Sequence, residues 1–447
     1  IQRRDFTYRA DGHLVGLVDQ LSGRKVYDLD LIGRVTAVHA KNWTERYTYD
    51  EVGNQTEAFW PSSQSSQEAV GTRVYTGTAI TRAGTIRYEH DQLGRITLRQ
   101  KTRLSRKPDT WNYKWDAENR LISATTPNGN QWKYSYDPLG RRTAKEQLTS
   151  DGSIVEKISF TWDGNTLCEQ STTVGNLPQH VTLTWDYDGF RPLTQTERVY
   201  SPDATQDIVD ERFFAIFTDL VGTPTELIDE SGAFSWRTRS TLWGITAWST
   251  DSTAYTPLRF PGQYFDAETG LHYNHFRVYD PETARYLTND PLGIAPAPNP
   301  STYVSDPRTS TDPLGLSPCP PKGEASNPFK KRGDAEKAAF EAAGVPYGET
   351  PIAEWTVTGD KNLKYVPGYT YAKDPSHWGN FRQFETPQGS RVVVEHVSDP
   401  AGTHFHAGKP KIDDTRSLVN FGWDNSRVQR PDGKFGYPQD MERYAKI

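Results

Sequence analysis

Two cysteines, Cys168 and Cys319, are too few for a disulfide framework or a zinc quartet. No apolar run approaches the roughly 20 residues that a membrane-spanning helix needs. The opening residues do not read as a secretory leader. The chain begins at Ile1 inside what looks like a repeat, as expected of the C-terminal part of something longer. Apolar residues make up only 34%, so there is little material for long buried helices. Strong charge is missing as well. Residues 1–316 carry a net −7 and residues 317–447 a net +1. The acidic part is unsuited to gripping nucleic acid, and the balanced part lacks the basic face of a non-specific DNA binder. What is abundant is aromatic residues, at 12%, with 35 glycines and 30 prolines. That is too aromatic for disorder and too turn-rich for a helical protein. It predicts many short strands joined by tight turns. The length allows about two to four domains.

Internal repeats fill residues 1–257. They read FTYRADGHLVG from Phe6, VYDLDLIGRVTAV from Val26, YTYDEVGNQTE from Tyr47, YEHDQLGRITLR from Tyr88, YKWDAENRLISA from Tyr113 and YSYDPLGRRTAK from Tyr134. Copies from Phe160 and Leu183 have drifted. Each unit predicts strand, turn, strand. In Tyr134-Ser135-Tyr136 the alternation puts both rings on one face. Asp-x-x-Gly or Asp-x-x-Asn supplies the turn, with Gly or Asn accepting positive φ. One hairpin cannot bury its own face, so neighbours must stack. The aromatics, at the same offset in every copy, read as cross-strand packing rather than as a surface for stacking sugars or bases.

Residues 258–316 change character. They run LRFPGQYFDAETGLHYNHFRVYDPETARYLTNDPLG and then IAPAPNPSTYVSDPRTSTDPLGL. This segment resembles the signature of Rhs/YD-repeat proteins, the shells of bacterial polymorphic toxins. The resemblance covers about Phe6 to Leu316 and implies a mostly β fold, in which YD-repeat hairpins form a hollow cocoon. It also implies that the shell's aspartates cut off a C-terminal toxin after the second DPxGL motif. Carried over, Asp290 and Asp312 are the catalytic pair and the bond cut is Leu316–Ser317. An aspartyl mechanism asks for two carboxylates sharing one proton, one acting as base for water and the other as acid for the peptide carbonyl. DPLG alone is only a good turn, as its third copy at Asp137 inside a repeat warns. The sequence also departs from the family pattern. Asp290 and Asp312 stand 22 residues apart across a Pro-rich stretch, with Tyr303 as the remnant of a Tyr-rich segment. Asp306 is a spare carboxylate, and Arg285 is a candidate partner for a carboxylate.

Residues 317–447 read as a small α+β effector domain. A Pro/Gly/Lys-rich linker runs from Ser317 to Arg332, and Asp334 is expected to cap a helix ending near Ala343. Strands are expected at Ala353–Thr358, Asn380–Thr386, Ser390–Val397 and Thr403–Ala407, with Pro387-Gln388-Gly389 as a hairpin turn. Three histidines, His396, His404 and His406, lie within eleven residues, with Glu395, Asp399 and Lys409 nearby. One reading is metal-free RNA cleavage by two imidazoles, with Lys409 or Arg391 on the phosphate. The second is a divalent-metal nuclease with His396, His404 and His406 as ligands. A third is an ADP-ribosyltransferase using Glu395 or Glu385, with Tyr365, Tyr369 or Arg391 on the sugar or phosphate. A zinc deaminase is disfavoured, because it needs a Cys-x-x-Cys pair. Trp378 and Trp423 read as core residues before base-stacking ones. The resemblance implies a protein secreted, by type VI secretion or another delivery apparatus, into the cytoplasm of a competing bacterium. The histidine cluster makes RNA the first target, with other nucleic acid behind it, and no cofactor apart from a divalent metal in the second reading; a toxin implies a cognate immunity protein as partner. A reading of another class is a non-enzymatic adhesion or scaffold protein, against which the DPLGL junction and the change of composition both speak.

Overall fold

The computed structural model describes residues 3–175, 180–201, 208–294, 297–316, 332–363, 366, 368–371, 378–387, 389–396, 404–410, 428–429 and 435–436. The chain divides into two units, Ile1–Pro318 and Cys319–Ile447.

In the first unit, 22 described strands run from β1 (Arg4–Tyr8) to β22 (Thr246–Trp248) as one antiparallel meander. Its hairpin chemistry repeats. Asp30 Oδ1 accepts from the amides of Ile32 and Arg34, while Arg34 Nε donates to Asp30 Oδ2 at 2.6 Å. Gly33 takes the positive φ that the turn requires. The same closure recurs at Asp91/Arg95, Asp116/Arg120 and Asp137/Arg141. The DPLG at Asp137 is therefore an ordinary repeat turn.

Two further bonds tie each hairpin to the next. The arginine reaches forward: Arg34 to the carbonyl of Asp50, Arg95 to Asp116 and Arg141 to Gly164. Where Tyr or Trp precedes the Asp, the ring reaches back: Tyr49 to the carbonyl of Val35, Trp115 to Ile96, Tyr136 to Leu121 and Trp162 to Arg142. The other ring of each pair (Tyr47, Tyr88, Tyr113, Tyr134) is buried in the core. This supports packing as the role of the aromatics: the back-reaching rings put their polar tips on backbone carbonyls, while Tyr47, Tyr88 and Tyr134 give theirs to the carboxylates of Glu45, Asp280 and Glu268.

Most described residues of 258–316 are buried in the interior of the first unit, while 291–294 are exposed. Four short strands, β23 (Tyr264–Asp266), β24 (Leu271–Asn274), β25 (Arg277–Asp280) and β26 (Arg285–Tyr286), pair antiparallel, and almost every residue is buried. Leu271, Val278, Tyr279, Tyr286 and Tyr303 pack among the inward aromatics of the repeats. Two Asp-x-Glu-Thr turns dock on buried cations of the meander. Asp266 meets Arg142 at 2.8 Å and Lys145 at 3.0 Å, and Glu268 meets Lys145 at 2.9 Å. Glu282 meets Lys101 at 2.6 Å.

The second unit has a helix, α1 (Arg332–Ala343), and strands β27 (Ala353–Thr358), β28 (Tyr369–Tyr371), β29 (Gly379–Thr386), β30 (Gly389–His396), β31 (His404–Pro410), β32 (Val428–Gln429) and β33 (Phe435–Gly436). The sheet order is β28-β27-β29-β30-β31-β32, with β33 on β31. The helix packs Ala335, Ala339, Phe340 and Ala343 on Phe384, Val393, Phe405 and Ala407. It begins two residues before Asp334, which therefore lies in the first turn and is not its cap. Trp378 packs with Trp355 against Val357, Phe381, Val392 and Val394, a core position. Residues 317–331, with Ser317 and the expected linker, lie outside the described residues, as do Tyr365, Val397, Asp399, Thr403 and Trp423.

Candidate active sites

The first candidate site is built at the turn between β24 and β25. Asn274, Phe276 and Arg277 hold the backbone of residues 312–315: Asn274 Nδ2 donates to the carbonyl of Asp312 at 2.9 Å, the Phe276 amide to Leu314 at 3.1 Å, and Arg277 Nε to Gly315. The close approach demands glycine on both sides. A Cβ at Gly262, in the Pro-Gly-Gln motif, would overlap the Pro313 carbonyl, and one at Gly315 would overlap that of Asn274. Both glycines also have positive φ.

This clamp brings Asp290 and Asp312 to one guanidinium. Arg277 Nη2 lies 2.8 Å from Asp290 Oδ2 and 3.1 Å from Asp312 Oδ2. Its Nη1 donates to the Pro300 carbonyl at 3.0 Å, which pins the long loop between the two motifs. The expected shared proton is thus replaced by a shared cation. Asp312 accepts on both oxygens, from the Leu316 amide at 2.9 Å on Oδ1 and from Tyr286 at 2.8 Å on Oδ2. That is how a carboxylate anion is bound. Asp290 accepts from the Leu292 amide at 2.8 Å. Burial pushes its carboxyl above the usual range and Asp312 adds to this, against the Leu292 amide and Arg277. Asp290 is thus poised to hold a proton.

Arg285 does not join this site. Its guanidinium goes to Asn54 Oδ1 at 2.8 Å and to the Thr78 carbonyl, because β26 turns it toward the repeats. Asp306 is occupied by Arg308 at 2.6 Å. Tyr303 stacks 5.4 Å from Phe260 and accepts from the Asp312 amide at 3.4 Å. Sequence reasoning missed Arg277, Tyr286 and Asn274. Their only signal was their place in YNHFR and RY, where every residue competes with core packing as an explanation.

In the second unit the register pairs His396 with His404 and Val394 with His406 across β30 and β31. The His396 and His406 rings meet edge-on, with centroids 5.2 Å apart, and both residues are buried. His396 Nδ1 lies 2.9 Å from the Trp378 carbonyl. A carbonyl only accepts, so Nδ1 carries the hydrogen and Nε2 is left with the lone pair. The side chains of His404 and Lys409 lie outside the described residues.

Glu395 is not brought to the histidines. Alternation sends it to the opposite face, where Arg332 binds both its oxygens at 2.6 Å. That contact also removes it as a free glutamate for sugar chemistry. Arg391, five positions from His396 and on the same face as Glu395, donates to the carbonyls of Gly389 and Ser390. Glu385 accepts from Ser390 Oγ. Tyr369 is exposed on β28. Among the described residues no group of three His, Cys, Asp or Glu side chains is arranged to hold a metal ion, and no helix is long and apolar enough to cross a membrane.

Comparison with known proteins gives a family model, the teneurin YD-shell, that matches residues 18–295. The "Probable deoxyribonuclease RhsA" of Dickeya dadantii is 30% identical, over 71% of this chain and 22% of its own length. The "Double-stranded DNA deaminase toxin A" of Burkholderia cenocepacia is 29% identical, over 68% of this chain and 22% of its own. The chain thus spans about a fifth of the length of these relatives. Among solved structures, the TcdB2-TccC3-TEV crystal structure superposes with a TM-score of 0.54 at 19% identity, over 71% of this chain and 17% of that one, a likeness of fold.

Proposed function

The chain belongs to the teneurin YD-shell family, the Rhs/YD-repeat shells, and from that premise we propose that it is the shell and effector end of an interbacterial toxin that cuts itself between Leu316 and Ser317. The observation that carries this reading is Asp290 and Asp312 on one buried guanidinium, with the Leu316 amide held on Asp312 at 2.9 Å. In the proposed reaction Asp312 takes a proton from water as its oxygen attacks the Leu316 carbonyl carbon, and Asp290 gives its proton to the carbonyl oxygen. Collapse of the tetrahedral intermediate re-forms the carbonyl and breaks the C–N bond. The Ser317 nitrogen leaves with a proton from Asp312, and the carbonyl oxygen returns its proton to Asp290. Arg277 steadies the negative charge that accumulates. The repeat sheet keeps the effector away from the producer until delivery into a competitor's cytoplasm. A delivery apparatus and a cognate immunity protein complete the scheme.

For the effector we propose metal-free RNA cleavage. His396, with its tautomer set by Trp378, takes the 2′-hydroxyl proton at Nε2, and His406 or His404 protonates the leaving 5′-oxygen. Relatives named as a deoxyribonuclease and a DNA deaminase toxin support nucleic acid as the target class. Expression of residues 317–447 alone is expected to arrest bacterial growth and degrade RNA, in extracts containing chelator as well. His396→Ala is expected to lower the RNA-cleaving rate about 10²–10⁴-fold. Arrest with intact RNA would overturn the RNase assignment, and unimpaired growth would overturn the effector.

A further inference from the structure

Tyr286 ends β26, buried beside Asp312. Its oxygen lies 2.8 Å from Asp312 Oδ2 and 2.8 Å from Asn274 Nδ2. The same Asn274 nitrogen lies 2.9 Å from the Asp312 carbonyl. That carbonyl has no hydrogen to give, so the amide nitrogen of Asn274, and not its oxygen, must face it. Both amide hydrogens are then used, one on the carbonyl and one on the phenol oxygen. A phenol that accepts from Asn274 has one hydrogen to donate, and Asp312 Oδ2 is where it points. The Arg277 guanidinium lies 3.6 Å over the Tyr286 ring and fixes its plane.

We infer that Tyr286, oriented by Asn274, is a positioning residue for self-cleavage: it holds Asp312 as the anion that takes the proton of the attacking water. This rests on the self-cleavage reading above. Burial, and Asp312 next to it, push the phenol far above its ordinary range, so it stays a donor wherever the carboxylates titrate. The charged and titratable groups facing Asp312 include Asp290, Arg277, Tyr286 and Tyr303. The acid limb of a cleavage profile therefore moves with the strength of the donor on the base, and the alkaline limb reports Asp290 losing its proton.

The test uses the full chain, purified in urea and diluted into buffers from about pH 4 to about pH 9, with cutting followed by gel and mass. Tyr286→Phe is expected to slow cutting about 10-fold or more at neutral pH and to move the acid limb up by about one pH unit. Substituting 3-fluorotyrosine for Tyr286 keeps the shape but strengthens the donor, and is expected to move that limb down. A packing role would scale the rate and leave the limb in place. An unmoved limb in both variants, with Asp312→Asn uncut, overturns this inference and leaves self-cleavage standing. Cutting that persists in Asp312→Asn overturns self-cleavage itself. Should Tyr286→Phe fail to refold by tryptophan fluorescence, the fluorotyrosine chain decides.

Discussion

Arg277→Met leaves the chain whole and loosens the first unit. Arg277 lies between Asp290 and Asp312 and binds the Pro300 and Gly315 carbonyls with its remaining hydrogens. Methionine fills much of the same space but leaves the buried Asp290 and Asp312 pair without its cation. Removing one partner of a buried charge cluster costs about 3–5 kcal/mol. Loss of a preorganised electrostatic donor slows the chemistry a further 10²–10³-fold or so. The two effects separate in a second variant. Arg277→Lys returns a cation to the pair but lacks the planar fork that reaches the Pro300 and Gly315 carbonyls, so the urea midpoint recovers in part, while cutting stays slow. Recovery of both would mean that any cation at this position serves. Full cutting by Arg277→Met would remove it from the site.

A second large loss is expected where a turn of the interior segment docks on the repeats. Arg142 is fully buried, with its guanidinium 2.8 Å from Asp266, 4.0 Å from the Tyr273 ring centroid and 4.5 Å from that of Tyr134. Burial opposes ionisation of Asp266, but Arg142 and Lys145 outweigh it and hold the carboxyl below its usual range. Arg142→Met is expected to cost about 3–5 kcal/mol at neutral pH, read as a lower urea midpoint by tryptophan fluorescence. The pH dependence has a definite sign. A carboxyl with a lowered folded-state pKa contributes stability above its unfolded value and loses it as pH falls. The gap between wild type and Arg142→Met therefore narrows in acid, where Asp266 is neutralised. A gap that stays constant with pH would mean that the guanidinium acts by packing alone.

These residues show how far the sequence could be read. The hairpins were legible because an Asp-x-x-Gly-Arg turn is local: Asp137, Gly140 and Arg141 make their bonds within five residues. Four of the seven described strands of the second unit were legible within about three residues from alternation and β-branching, whereas the short β28, β32 and β33 were not. The placement of residues 258–316 was not legible, because a run buried on every side has no polar face to betray its period. The site shares that blindness. Asp290 and Asp312 were marked by their motifs, but Arg277 reaches both through a fold that closes over 35 residues. Arg285, eight positions on in the same buried run, looked equally suitable. Glu395 looked adjacent to His396 and is adjacent in sequence alone, since one step along a strand reverses the face. The histidines stand the other way: His396 and His406 are ten residues apart and in ring contact, because β30 and β31 pair.

The central claim is that the chain cuts itself with Asp312 after Leu316. The direct test is the intact mass of the purified chain beside that of Asp312→Asn, which keeps the size of the side chain and removes its charge. The account predicts two fragments from wild type, ending at Leu316 and beginning at Ser317, and one whole chain from the variant. A whole chain from both, or the same two fragments from both, would contradict it.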